Sequence, residues 1–145
     1  MLKVSENREM VTKFRFVYVI VFACLVVGGY LAASRAIHSI GFPLDDAWIH
    51  QTYARNLVAY HEWAFVPGQP SAGSTAPLWS FLLSLGYWVG TGPYLWTFLL
   101  GIISLAALAV IGEMWFRYLH GNVKTLIPWV GLFLAGEWHL GWAAA

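Results

Sequence analysis

Residues 16–33 read FVYVIVFACLVVGGYLAA, an unbroken apolar run without one charged side chain. A helix needs about 20 such residues to cross the hydrocarbon core of a bilayer. Ahead of the run stand Lys3, Arg8, Lys13 and Arg15, against Glu6 and Glu9. Basic residues beside a span stay on the cytoplasmic side. Residues 1–15 are therefore expected to form a cytoplasmic segment and residues 16–34 the first transmembrane helix. The small residues Ala32, Ala33 and Ser34 would suit a signal-peptide cut, but the run exceeds the apolar stretch of about 7–15 residues that such peptides carry. The expectation is an uncleaved anchor.

Composition agrees with this reading. Of the 145 residues, 59% are hydrophobic and 10% charged, against about 25% charged in an average soluble domain. So few charges could not cover the surface of a water-soluble domain. The net charge of +1 argues against a nucleic-acid partner, which demands clustered Lys and Arg. Cys24 is the one cysteine, so this chain alone can build neither an internal disulfide nor a thiolate zinc site. Nine tryptophans and seven tyrosines suit rings that settle at the lipid–water boundary. The expected fold is an all-α polytopic membrane protein in the cytoplasmic membrane, with about four transmembrane helices.

Residues 77–145 hold the three further segments. Pro77 opens a second span over residues 78–89, with Trp79 and Trp88 as interface anchors; it is short and needs tilt or bilayer thinning. A third runs over residues 94–116, where Gly101, Ser104, Ala106, Ala107 and Ala109 permit close helix packing. A fourth begins near residue 126 and contains Glu137 and His139, whose spacing of two directs them to different faces of a helix. Alternation from a cytoplasmic N-terminus puts the polar 117–124 stretch outside, whereas its Arg117 and Lys124 favour the inside.

Residues 35–76 differ in kind and form a long first extracytoplasmic loop. They contain Arg35, Asp45, Asp46, Arg55 and Glu62, with His38, His50 and His61. Pro43-Leu44-Asp45-Asp46 reads as a helix start, since proline fits the first turn and a carboxylate caps it. An amphipathic helix then runs to about residue 60, with Ile49, Tyr53, Leu57 and Tyr60 near one face, lying along the membrane surface. Residues 67–77 show neither helical nor strand periodicity and read as a loop.

This loop carries the candidate chemistry. One carboxylate of Asp45 and Asp46 could take a proton from an acceptor hydroxyl. The pair could instead hold a divalent cation, Mg or Mn, through oxygen ligands. Helix capping is the structural alternative for one of them. His50 falls four residues after Asp46 on the same helical face, as a metal ligand, a proton partner or a plain surface histidine. Arg55 suits an anionic group, or else it neutralises the acidic pair. Ser74 and Thr75 lie, with Ser71, in a loop able to present backbone N–H groups to an anion.

Four stretches in this order carry a resemblance to a known family. They are Gly41-Phe42-Pro43-Leu44-Asp45-Asp46-Ala47-Trp48-Ile49, then Tyr53-Ala54-Arg55-Asn56-Leu57 with Phe65-Val66-Pro67-Gly68, then Gly73-Ser74-Thr75-Ala76-Pro77-Leu78-Trp79. Together they resemble the N-terminal part of GT-C glycosyltransferases, polytopic enzymes that use polyprenyl-phosphate sugars. Protein O-mannosyltransferases, aminoarabinose transferases and arabinofuranosyltransferases belong to that group. The resemblance implies transfer of a sugar from a polyprenyl-phosphate donor to an extracytoplasmic acceptor hydroxyl. It places one aspartate of the Asp45–Asp46 pair at the catalytic centre, with Arg55 in support; Arg55, Ser74 and Thr75 are the expected substrate contacts. Tyr60-His61-Glu62-Trp63 departs from the family, whose members often have glycine in this turn. The resemblance covers only the front of such enzymes, and the run to Ala145 reads as a shortened chain, inactive alone. The alternative expectation is a non-catalytic membrane subunit or remnant of that fold, packed against partner helices.

Overall fold

The computed structural model describes residues 2–37, 41–42, 45–121 and 127–144, with side chains from residue 15 onward. The sequence readings at His38, Pro43, Leu44, Lys124 and residue 126, and at the side chains of Lys3, Glu6, Arg8, Glu9 and Lys13, lie outside the described residues. The chain is mostly helical and divides into two compact units. Its helices are α1 (Leu2–Ile37), α2 (Asp46–Tyr60), α3 (Pro77–Trp88), α4 (Pro93–His120), α5 (Trp129–Gly136) and α6 (Trp138–Ala144), with a hairpin of β1 (Ala64–Val66) and β2 (Gln69–Pro70) between α2 and α3.

Two helices are long and apolar enough to cross a membrane, Arg15–Ile37 within α1 and Pro93–His120. Their lengths of 23 and 28 residues correspond to about 34 and 42 Å at 1.5 Å per residue. The other expected spans are shorter. α3 has 12 residues, about 18 Å of helix. The fourth apolar segment is broken in two at Glu137, whose backbone is extended at φ −67° and ψ 122°.

Unit 1 comprises Met1–Ser39 and Gly101–Ala145. Its core joins Val19, Ala23 and Val27 of α1 to Leu105, Ala106 and Ala109 of α4, with Ala135 and Ala144. Glycines set the approach. A Cβ on Gly131 would lie 2.9 Å from Val19 Cγ2 and 3.1 Å from the Ala109 carbonyl oxygen, and one on Gly101 would meet the Ala144 backbone. Gly136 faces Phe22 and Gly141 faces Val26. Neighbours thus rise together along α1 and α5–α6 but fall along α4, so α1 and this part of α4 run antiparallel. Of the small residues read as packing surface, Gly101, Ala106 and Ala109 are buried, whereas Ser104 and Ala107 face outward.

Unit 2, Ile40–Leu100, is built on α2 packed against α3. α3 starts at Pro77, whose missing N–H costs nothing in a first turn. It stops at Gly90, where φ is +76° and Thr91 returns both its N–H and its hydroxyl to the Gly86 carbonyl at 2.9 Å. Residues 67–77, read as featureless loop, contain β2. Pro67 and Gly68 make a tight turn, with Gly68 at φ +79°, the pairing of residues that a type II turn requires. The strand escaped notice because two residues are too few to show a period.

Candidate functional site

α2 organises unit 2, and it buries a different face from the expected one. Ile49 and Leu57 are half-buried and Tyr60 is exposed. The buried residues are His50, Gln51, Tyr53, Ala54 and Asn56. A helix whose inward face is polar must find a partner for each group, and each is supplied by the hairpin, the 71–76 loop, α3 or the start of α4.

Asn56 Nδ2 donates to the carbonyls of Ala64 and Phe65 at 2.9 and 3.0 Å, tying β1 to α2. The hydroxyls of Tyr53 and Ser71 share a hydrogen bond of 2.6 Å, and the Gly73 N–H donates to the same Tyr53 oxygen at 2.9 Å. A Cβ at Gly73 would stand 2.9 Å from that oxygen, so glycine is what lets the loop close on the ring. Gln51 spends both ends of its amide, donating to Thr97 Oγ1 at 2.6 Å and accepting from the Tyr87 hydroxyl at 2.9 Å.

His50 is at the centre of the innermost group. Its Nδ1 lies 3.2 Å from Ser74 Oγ and 2.9 Å from Ser80 Oγ, and the two serine oxygens are 2.8 Å apart. Burial pushes the imidazole below its ordinary value of 6.5, against the opposing pull of the Asp46 carboxylate. The ring is therefore neutral near pH 7. Of the three roles open to His50, burial removes that of a plain surface histidine, because the loop after the hairpin folds back over α2.

The acidic pair stands at the helix start as expected, with the two carboxylates in different circumstances. Asp45 caps α2, and its Oδ1 accepts the Asp46 N–H at 3.0 Å. Asp46 occupies the first helical position, is exposed, and lies one turn before His50. There the unpaired amides of a helix N-terminus favour a negative charge. Arg55 is not brought to the pair. Nine positions along α2 separate it from Asp46 by about 13 Å and half a turn, and its guanidinium donates to Asn56 Oδ1 at 3.2 and 3.3 Å. Ser74 is buried and committed to His50 and Ser80, whereas Thr75 is exposed. Of the two loop residues read as substrate contacts, only Thr75 presents its side chain outward.

No group of three or more His, Cys, Asp or Glu side chains gathers among the described residues. Asp45 and Asp46 still fit a magnesium-like ion, which is held by one or two carboxylates and completes its shell with water and substrate phosphate. Such an ion would supply charge neutralisation for a phosphate leaving group.

Two further charged groups lie in unit 1. Glu113 of α4, which sequence reasoning passed over inside its apolar run, is 1% exposed. One of its oxygens pairs with Arg117 Nε, and the other accepts the N–H groups of Val130 and Gly131, both at 3.0 Å. α5 begins after Pro128, which makes no side-chain cap, so Glu113 caps it from a neighbouring helix. The spacing of four between Glu113 and Arg117 was the available signal. Glu137 and His139, expected on different faces, meet at 2.7 Å because the helix breaks at Glu137. The second Glu137 oxygen accepts the Leu140 N–H at 3.1 Å and caps α6.

Comparison with protein-family models, with curated proteins and with solved structures finds no match for this chain.

Proposed function

We propose that the chain is the N-terminal portion of a GT-C-type membrane glycosyltransferase, with residues 35–76 carrying part of its extracytoplasmic site. The observation that carries this reading is the acidic pair. It follows a helix long enough to cross a membrane, within the ordered set of motifs from Gly41 to Trp79, and its Asp46 is exposed at the start of α2. Asp45 is engaged as a cap, which makes Asp46 the better base. Asp46 takes the proton from an acceptor hydroxyl as that oxygen attacks the anomeric carbon of a polyprenyl-phosphate sugar. The bond from that carbon to the phosphate oxygen breaks, and polyprenyl phosphate leaves. Thr75 contributes a polar contact from the neighbouring loop.

The antiparallel course of α1 and α4 supports an orientation as well. With the start of α1 and the end of α4 on one side, Arg117 joins the basic N-terminal segment on the cytoplasmic face, as charge counting prefers. With two helices long and apolar enough to cross, this reading uses two crossings in place of four alternating spans.

Asp46→Asn in the natively expressed protein should abolish donor-dependent sugar transfer while leaving membrane insertion intact. Undiminished transfer by the Asp45→Asn, Asp46→Asn double variant would defeat the assignment. A second reading, a non-catalytic subunit packed against partner helices, draws on the Glu137–His139 pair. It is partly exposed on an otherwise apolar segment, where lipid would leave it without polar cover. Stable co-purification with one partner, without sugar transfer, would favour it.

A further inference from the structure

Arg15 opens the apolar stretch of α1, in unit 1, and lies within electrostatic reach of both Arg117 and Glu113. The Glu113 carboxylate has little left to offer it. One oxygen is paired with Arg117 and the other accepts two backbone N–H groups of α5. The Arg15 Nε is buried and has no hydrogen-bond partner among the described residues. A buried donor left in this way costs about 1–3 kcal/mol, and more when it is charged. Among the described residues, two guanidinium groups and one carboxylate act on each other here.

The chemistry that answers the unpartnered Arg15 donor is an oxyanion with several acceptor oxygens. A guanidinium is planar and always charged, and its fork of donors matches phosphate oxygens. We propose that Arg15, with Arg117 beside it, forms a binding site for a phosphate-ester anion at the end of unit 1 where α1 enters its apolar run. Arg117 keeps its bond to Glu113 and adds long-range attraction, while Arg15 makes the direct contact. The membrane reading given above bears only on the source. A residue at the start of a span lies at headgroup depth, where the phosphate of an anionic lipid is the nearest such group. The sugar-transfer reading is not needed.

The test uses the full chain purified in a maltoside detergent, titrated separately with phosphatidylglycerol, phosphatidylcholine and inorganic phosphate. Retained lipid is counted by native mass spectrometry, and thermal shift is followed in parallel. Phosphatidylglycerol should be held about tenfold more tightly by the native chain than by Arg15→Gln, as expected for loss of one charge-assisted contact. Arg15→Lys should fall between the two, keeping the charge without the fork. Stabilisation by inorganic phosphate that is lost in Arg15→Gln would support the site and identify free phosphate as a ligand. Stabilisation by phosphatidylglycerol alone would support it with lipid as the source. Equal retention of phosphatidylglycerol by the native chain and Arg15→Gln would overturn the proposal, as would equal retention of the two lipids by the native chain.

Discussion

The two units keep opposite things inside. In unit 1 the buried positions are apolar or small, and the one buried polar side chain among the described residues is Glu113. Unit 2 buries His50, Gln51, Asn56, Ser74, Ser80 and Ser84, and its α2 turns a polar face inward. Unit 1 is thus held by close helix approach and, among the described residues, by one buried charged junction at Glu113. Unit 2 is held by a distributed network in which a loop, a hairpin and two helices share donors. A concentrated interaction fails all at once, whereas a distributed one weakens piece by piece. Polar groups inside also specify geometry more narrowly than apolar contact does.

This contrast can be broken or sharpened by experiment. Glu113→Ala should have the largest effect. It leaves Arg117 without its carboxylate and two α5 amides without an acceptor, costing about 3 kcal/mol on the scale of a broken buried ion pair. Helix content followed through an SDS titration in mixed micelles would measure the cost, and a loss below a third of that figure would show that the junction is not concentrated there. Asn56→Ala should cost about 2 kcal/mol by orphaning the Ala64 and Phe65 carbonyls. Limited proteolysis should then cut the hairpin while sparing α1 and α4. Cleavage spread evenly over both units would contradict their independence.

Unit 2 should also respond to mild acid. The folded chain resists protonation of His50 below the ordinary value of 6.5, so beneath that pH the unfolded chain binds more protons. The stability gained from burying the neutral ring is complete above 6.5 and declines as pH falls past it. Proteolysis of the 71–76 loop should accelerate over that range in the native chain but not in His50→Gln. A smaller effect of opposite sign is expected at His61, which ends α2 in the left-handed region at φ +58°. His61→Gly should stabilise by about 0.5 kcal/mol, because relief of the left-handed strain outweighs the entropy glycine adds to the unfolded chain. A thermal shift in unit 2 would record it.

The sequence made the long elements legible and hid the short ones. The apolar run of α1, the proline at the start of α3 and the bounds of α2 could be read because each has a local cause, whether length, a ring without an N–H or a carboxylate cap. His61, which ends α2, stands in the backbone conformation that glycine favours. What could not be read depends on residues far apart in the chain. The inward face of α2 became polar only because Ser74 and Ser80 arrive 24 and 30 residues later. Glu113 looked like an isolated acid in a hydrophobic stretch until Val130 and Gly131 met it. At the candidate site the Asp45 cap and the exposure of Asp46 follow from local rules, while the separation of Arg55 from the pair needed only the helical pitch.

The Glu113 cap also has a history within each molecule. The carboxylate is synthesised before the helix it serves, so for a time it has one cation beside it and no amides to accept. Arrival of Val130 and Gly131 ends that interval and ties α5 to α4. Chains arrested before and after residue 131 should differ sharply in resistance to carbonate extraction, and a smooth trend would argue against such a step. α5 therefore docks onto an acid already placed and paired by α4, and α6 packs against α1 only after it.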